Sequence, residues 1–197
     1  MTAVVVIFDR SLSMPMNDLF GPAQTRAIET LEALGGPANS DHLHAFVAFG
    51  ARAALMEPSR VSELTWDYDY GSNLEEVLRL SESALNGQPG RIVLLSDLFA
   101  SAHTDDEDEV VFQCPPAQET LDRTVGAIRS CRDASITIDA IRYRSGETRD
   151  EDESIVAVVT EAILGAGGTV EEVCVADTFA DGYPRGQAPS RPWRYCA

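Results

Sequence analysis

The sequence predicts an α/β protein: a three-layer sandwich whose central, mostly parallel sheet has one antiparallel edge strand and helices on both faces. Three observations predict it. Strand-like apolar runs alternate with helical periodicity along the chain, which is the pattern of βαβ units. The first run, Ala3 to Phe8, is apolar at every position, as a central strand covered on both faces must be. Two strand-like runs lie close together around Gly50-Ala51, a spacing that suits a hairpin and so one antiparallel edge strand. The arrangement is Rossmann-like, and in such sheets function collects at the carboxyl ends of the strands.

Taken in order, the strand at about 3–8 gives way to a loop and then to a helix over 22–34, with Ala27, Ile28, Leu31 and Leu34 at helical spacing. Gly35-Gly36-Pro37 stops it. His44–Phe49 and Ala51–Met56 are the hairpin strands. A helix over 73–86 carries Leu74, Val77, Leu78 and Leu85, and ends near Asn86-Gly87; Ile92–Leu95 is the next buried strand. The rhythm breaks over 99–117, where Asp105 to Glu109 form an unbroken acidic run that reads as a solvated, mobile insertion beside the functional face. Helical spacing resumes at Leu121, Val125 and Ile128, and a strand follows at 135–142. Thr148 and Glu151 suggest a capping box for a helix over 150–165, and Val170–Val175 is the last strand. One domain over 1–180 is therefore expected, with a Pro-, Gly- and Arg-rich tail over 181–197.

Composition narrows the function. The 197 residues are 44% apolar, enough for one well-buried core. Fifteen basic residues face thirty-two acidic ones, a net charge of −17, and every basic residue is arginine, so the chain is lysine-free. So acidic a molecule repels phosphate backbones and anionic bilayers, which argues against nucleic acid and membrane as partners. No apolar run approaches the ~20 residues that span a bilayer, and the first apolar stretch has no basic segment ahead of it, so a cytoplasmic protein is expected. Cys114, Cys131, Cys174 and Cys196 form no C-x-x-C pair and are expected to be reduced and structural.

Oxygen ligands gather at three places on the carboxyl side of the strands. Asp9-Arg10-Ser11-Leu12-Ser13 follows the first strand, Gly71-Ser72-Asn73 precedes the 73–86 helix, and Ser96-Asp97 follows the Ile92–Leu95 strand. A turn with a spacing of two aims Asp9, Ser11 and Ser13 at one point. Two carboxylates and three hydroxyls suit Mg²⁺, which takes six oxygens at ~2.0–2.1 Å and keeps some water; Mn²⁺ accepts the same octahedral set. With only two carboxylates the ion stays electrophilic enough to accept a further carboxylate from outside.

The apolar strand, the D-x-S-x-S loop, the hydroxyl on a second loop and the aspartate after a later strand resemble the metal-ion-dependent adhesion site of von Willebrand factor A domains. The matching positions are Asp9, Ser11, Ser13, Ser72 and Asp97, and the resemblance extends over nearly the whole chain. Three positions depart from the family pattern: Leu12 and Leu98 stand where glycine is common, and Ser72 replaces the usual threonine. The resemblance implies a non-catalytic adaptor of the stand-alone intracellular type. Its partner would be a protein presenting Asp or Glu, in an assembly such as one with an AAA+ ATPase of the MoxR type.

Other residues are read more plainly. Asp67 and Asp69 either support the metal ligands from behind or solvate a turn. His42 and His44 share a strand face without the further ligands of a zinc site, and His103 stands alone. In the tail, Arg185, Arg191, Trp193, Arg194 and Tyr195 have the chemistry of interface anchors, but they equally suit packing against the chain's own acidic surface. Two alternatives to the adaptor reading remain. One is a structural subunit with a vestigial metal site. The other is a phosphoryl-transfer enzyme using Asp9, which would need an acid where Ser11 stands and a lysine the chain lacks.

Overall fold

The computed structural model describes residues 2–35, 41–66, 71–145 and 150–175. Its core is a six-stranded sheet built from β1 (Ala3–Asp9), β2 (His42–Phe49), β3 (Ala53–Met56), β4 (Gly90–Ser96), β7 (Ile136–Ser145) and β8 (Thr169–Val175), in the order β3-β2-β1-β4-β7-β8. All neighbours pair in parallel except β2 and β3, which form the antiparallel edge the sequence predicts. Every residue of β1 is buried, as its apolar run requires of a central strand.

Because strand side chains alternate, β1 feeds two cores. Val4, Val6 and Phe8 pack with Met14 of α1 (Ser13–Met16) and with Phe20, Ala23, Ala27 and Leu31 of α2 (Phe20–Gly35). Ala3, Val5 and Ile7 face the opposite layer: α3 (Leu74–Leu85), α4 (Gln118–Asp133) and α5 (Asp150–Gly165). The Asn73 side chain caps α3 by accepting the Glu76 amide at 3.0 Å, and Asn86 ends it in the left-handed region at φ 50°. The short α1 and the 3-10 turn at Pro58–Glu63 have too few residues to show a period in the sequence.

The segment 99–117 is exposed along its acidic run, as the sequence reading expects, but carries secondary structure that reading did not assign. It contains an ordered hairpin, β5 (Ala102–Thr104) paired with β6 (Val110–Phe112), and Ala102 and His103 are buried. The acidic run is its turn. The Asp105 carboxylate accepts the amides of Glu107 and Glu109, both at 2.9 Å, which is the local hydrogen bonding that lets aspartate stabilise a turn. Arg52 and Arg123 hold the turn to the body of the domain through Asp108 and Asp106. The cysteine expectation also changes: Cys131 and Cys174 are free, whereas Cys114 is disulfide-bonded. Asp67, Asp69, Thr148 and the tail with Arg185, Arg191, Trp193, Arg194 and Tyr195 lie outside the described residues.

Candidate metal centre

Strand order decides where the loops meet. From β1 the chain passes to β2 on one side of the sheet and returns through β3 to β4 on the other side of β1. The carboxyl ends of β1 and β4 therefore flank the topological switch point, the crevice where open α/β sheets place their ligands. Asp9 is the last residue of β1, and Asp97 directly follows β4.

The five side chains foreseen as ligands come together there. Asp9 is fully buried; its Oδ1 accepts the Ser11 amide at 2.8 Å, and its Oδ2 accepts the hydroxyls of Ser96 at 2.5 Å and Ser72 at 3.4 Å. The Ser11 and Ser13 hydroxyls lie 3.0 Å apart, and Ser13 also hydrogen-bonds Asp97. Asp97 Oδ1 accepts the Phe99 amide at 3.0 Å, which fixes the loop after β4. Ser11, Ser72 and Asp97 are buried with Asp9.

Electrostatics set this cluster apart. Burial, reinforced by the negative charge of Asp97, pushes Asp9 up from 3.8 to about 7. Asp97 is also raised by burial, although bonds from Ser13 and Phe99 and the charge of Arg142 pull it back. Among the described residues no arginine hydrogen-bonds either carboxylate. Burial disfavours each anion, and their mutual repulsion disfavours the pair further. A cation between them would relieve both terms. No three His, Cys, Asp or Glu side chains form a metal-holding group among the described residues; the donors at this centre are two carboxylates and several hydroxyls.

Sequence reasoning gave no role to two contributors, Ser96, which it noted only beside Asp97, and Ser101. Ser96 donates to Asp9 and accepts the Leu98 amide at 2.9 Å, so one hydroxyl orients a carboxylate and shapes the loop after β4. Its position at the buried end of a strand, next to Asp97, was the available signal. Ser101 holds Ser72 from the base of the hairpin, with its Oγ accepting the Ser72 amide at 3.0 Å. Nothing in the sequence linked residues 29 apart.

The structure also explains two of the family departures. Leu12 has φ −63° and ψ −23°, an ordinary right-handed conformation that glycine is not needed to reach. Leu98 sits at φ 62°, where a side chain costs ~1–2 kcal/mol, but it is fully buried, and burying a leucine returns ~1.5–3 kcal/mol. The side chain's packing therefore sustains a backbone conformation that favours glycine.

A family model described as "Rv0959-like protein, vWA domain" matches residues 2–170. The chain belongs to this von Willebrand factor A family. Uncharacterized protein Rv0959 of Mycobacterium tuberculosis is 28% identical over 130 residues, and uncharacterized protein Mb0984 of Mycobacterium bovis matches to the same extent. That match takes in 62% of this chain but 19% of each relative, so the chain spans about a fifth of the curated relatives' length. Among solved structures, the N-terminal domain of TFIIH p34 superposes with a TM-score of 0.59 at 13% identity, covering 87% of this chain and 90% of that one. Proximal thread matrix protein 1 from the mussel byssus gives 0.54 at 12% identity, covering 87% and 41%. At such identities these likenesses speak to the fold alone.

Elsewhere in the vWA domain, two of the three histidines make structural hydrogen bonds. His103 is buried and its Nδ1 lies 2.9 Å from the Thr120 hydroxyl; His44 Nε2 meets the Ala84 carbonyl at 2.8 Å. Among the described residues no helix is long and apolar enough to cross a membrane.

Proposed function

We propose that this vWA domain is a protein-binding module that holds Mg²⁺ or Mn²⁺ on Asp9, Ser11, Ser13, Ser72 and Asp97 and presents it to a carboxylate on a partner protein. The observation that carries the proposal is the buried Asp9–Asp97 pair, each acid raised by burial, with hydroxyls around it and no arginine bonded to it among the described residues. The donors are hard oxygens only, which suits these ions and not softer metals. Bound there, the ion would supply Lewis acidity toward an incoming carboxylate. The chain's own residues orient the donors: the Ser11 amide and the Ser96 hydroxyl fix the two oxygens of Asp9, and the Phe99 amide fixes Asp97.

The chemistry of this site is capture without turnover. Asp9 is followed at a spacing of two by Ser11 and not by an acid, and no lysine is present to steady a transferring phosphoryl group. An AAA+ ATPase is the partner class we propose to try first.

Calorimetric titration of Mg²⁺ and Mn²⁺ into the metal-stripped protein, beside Asp9→Ala, tests the reading. Saturable binding that the variant loses is expected. Binding that survives in Asp9→Ala, or no uptake even with a captured partner present, would overturn it.

A further inference from the structure

We propose that Arg52 is a positioning residue for Ser72, which it serves by latching the tip of the acidic hairpin to the turn between β2 and β3. The consequence for cation affinity rests on the metal reading above; the effect on Ser72 itself does not.

Ser72 hangs on the base of the hairpin. Its carbonyl accepts the amides of Ser101 at 3.1 Å and Ala102 at 3.2 Å, and its amide donates to Ser101 Oγ at 3.0 Å. The approach is close enough to require glycine next door. Gly71 has φ 115°, and a Cβ there would lie 2.6 Å from the Ala102 Cβ. On its other side, the Asn73 amide donates to the Gly50 carbonyl at 2.9 Å, tying the Ser72 loop to the β2–β3 turn.

Arg52 closes this ring. It sits in that turn and reaches across to the hairpin tip, where Nη1 donates to Asp108 Oδ1 at 3.1 Å and Nη2 to the Asp108 carbonyl. Its Nη1 also lies 3.4 Å from Glu76 Oε2, which accepts the Thr104 hydroxyl at 2.8 Å and the Asn73 side-chain amide at 3.2 Å. Glu76 Oε1 takes the Ala53 amide at 3.0 Å. Turn, Ser72 loop, hairpin base and hairpin tip are thus joined into one circuit, with the guanidinium fork as its outermost link. A ring of bonds restrains Ser72 more than its separate contacts do, because opening at one point leaves the others anchored.

The test combines hydrogen exchange at the Ser72 amide with Mn²⁺ titration of the whole chain. Arg52→Met keeps the aliphatic stem and removes the fork. Asp108→Gly, at φ 65°, removes one acceptor where glycine is at ease and serves as the second variant. In Arg52→Met we expect faster Ser72 exchange and Mn²⁺ affinity weakened about fivefold, in keeping with a partly exposed ion-pair network. Asp108→Gly should move both readouts the same way and less. In a Ser72→Ala background, Arg52→Met should weaken Mn²⁺ no further, because Arg52 acts through Ser72. Unchanged Ser72 exchange in both variants overturns the proposal, as does a full fivefold loss that persists without the Ser72 hydroxyl. If the native protein takes up no Mn²⁺ even with a captured partner present, the cation reading fails while the latch is still decided by Ser72 exchange alone.

Discussion

Two groups of buried charge lie on neighbouring strands at the carboxyl end of the sheet, and they follow opposite rules. On β7, Arg142 is the register partner of Ser96 and is itself buried. Its Nη1 and Nη2 donate to Glu172 at 2.7 Å and Glu153 at 2.6 Å, so the cation meets two anions. One strand away, Asp9 and Asp97 put two carboxyl groups together, and among the described residues their hydrogen-bond donors are hydroxyls and amides. The first arrangement balances its charge internally and ties β7, β8 and α5 together. The second gathers like charges that Arg142 eases only in part, through Asp97, which is the feature the proposed cation would relieve.

The largest effect expected from this contrast is at Arg142. Arg142→Met strands two carboxylates, although their side chains are 37% and 50% exposed and regain water, so a loss of about 2–3 kcal/mol is expected in chemical denaturation. A loss near zero would show that the clamp is not structural, and the contrast would collapse.

Asp9→Asn should act in the other direction. Removing one of two buried like charges raises the stability of the metal-free protein by about 1–2 kcal/mol, as relief of a strained functional site does. The same change should abolish the gain in melting temperature from Mg²⁺, which for the native protein is worth about 2.7 kcal/mol at a hundred times Kd. If Asp9→Asn is instead less stable than the native protein without metal, Asp9 is structural.

The pH dependence of the metal-free protein sharpens the point. Asp9 is raised in the folded state, from 3.8 to about 7, so the folded protein binds more protons than the unfolded chain between those values. Its contribution is fully present below pH 4 and is lost as pH rises through 7, at no more than about 1.4 kcal/mol per pH unit. Between pH 5 and 8 the native protein should therefore lose stability relative to Asp9→Asn, and Mg²⁺ should flatten the difference. Parallel curves for the two proteins would remove Asp9 as the source of strain.

The smallest effect is expected for Ser72→Thr, which restores the usual family residue. β-Branching restricts the hydroxyl's rotamers and should tighten Mg²⁺ about twofold. Weaker binding would mean that the packing at this buried position has no room for the added methyl.

Much of the fold was legible in the sequence, because periodicity reports burial and burial fixes which face of each element turns inward. The apolar run of β1 and the spacing of Leu74, Val77, Leu78 and Leu85 were enough to place two layers. The short α1 and the β5–β6 hairpin were not legible: a few residues cannot show a period, and the acidic run, exposed as expected, gave no sign that Arg52 and Arg123, distant in sequence, bond to it. At the candidate metal centre the difference lies between ligands and their supports. Asp9, Ser11, Ser13, Ser72 and Asp97 were readable because hard-oxygen residues recur at strand ends. Ser96 was noticed beside Asp97 but its role was not, and Ser101 was not seen at all, because a serine's role depends on what its hydroxyl meets.

By itself the sequence determined the layered α/β class, the antiparallel edge, the acidic lysine-free surface and the identity of the candidate ligands. Each follows from residue type and local spacing, which need no knowledge of contacts. Only the tertiary structure decided that β1 and β4 are neighbours, so that Asp9 and Asp97 share one buried crevice, and that Arg142 is bonded to two carboxylates of its own. The reason is physical: a carboxylate's protonation and its use depend on desolvation and on the charges within a few ångströms, and for residues 88 positions apart only the folded chain sets that distance.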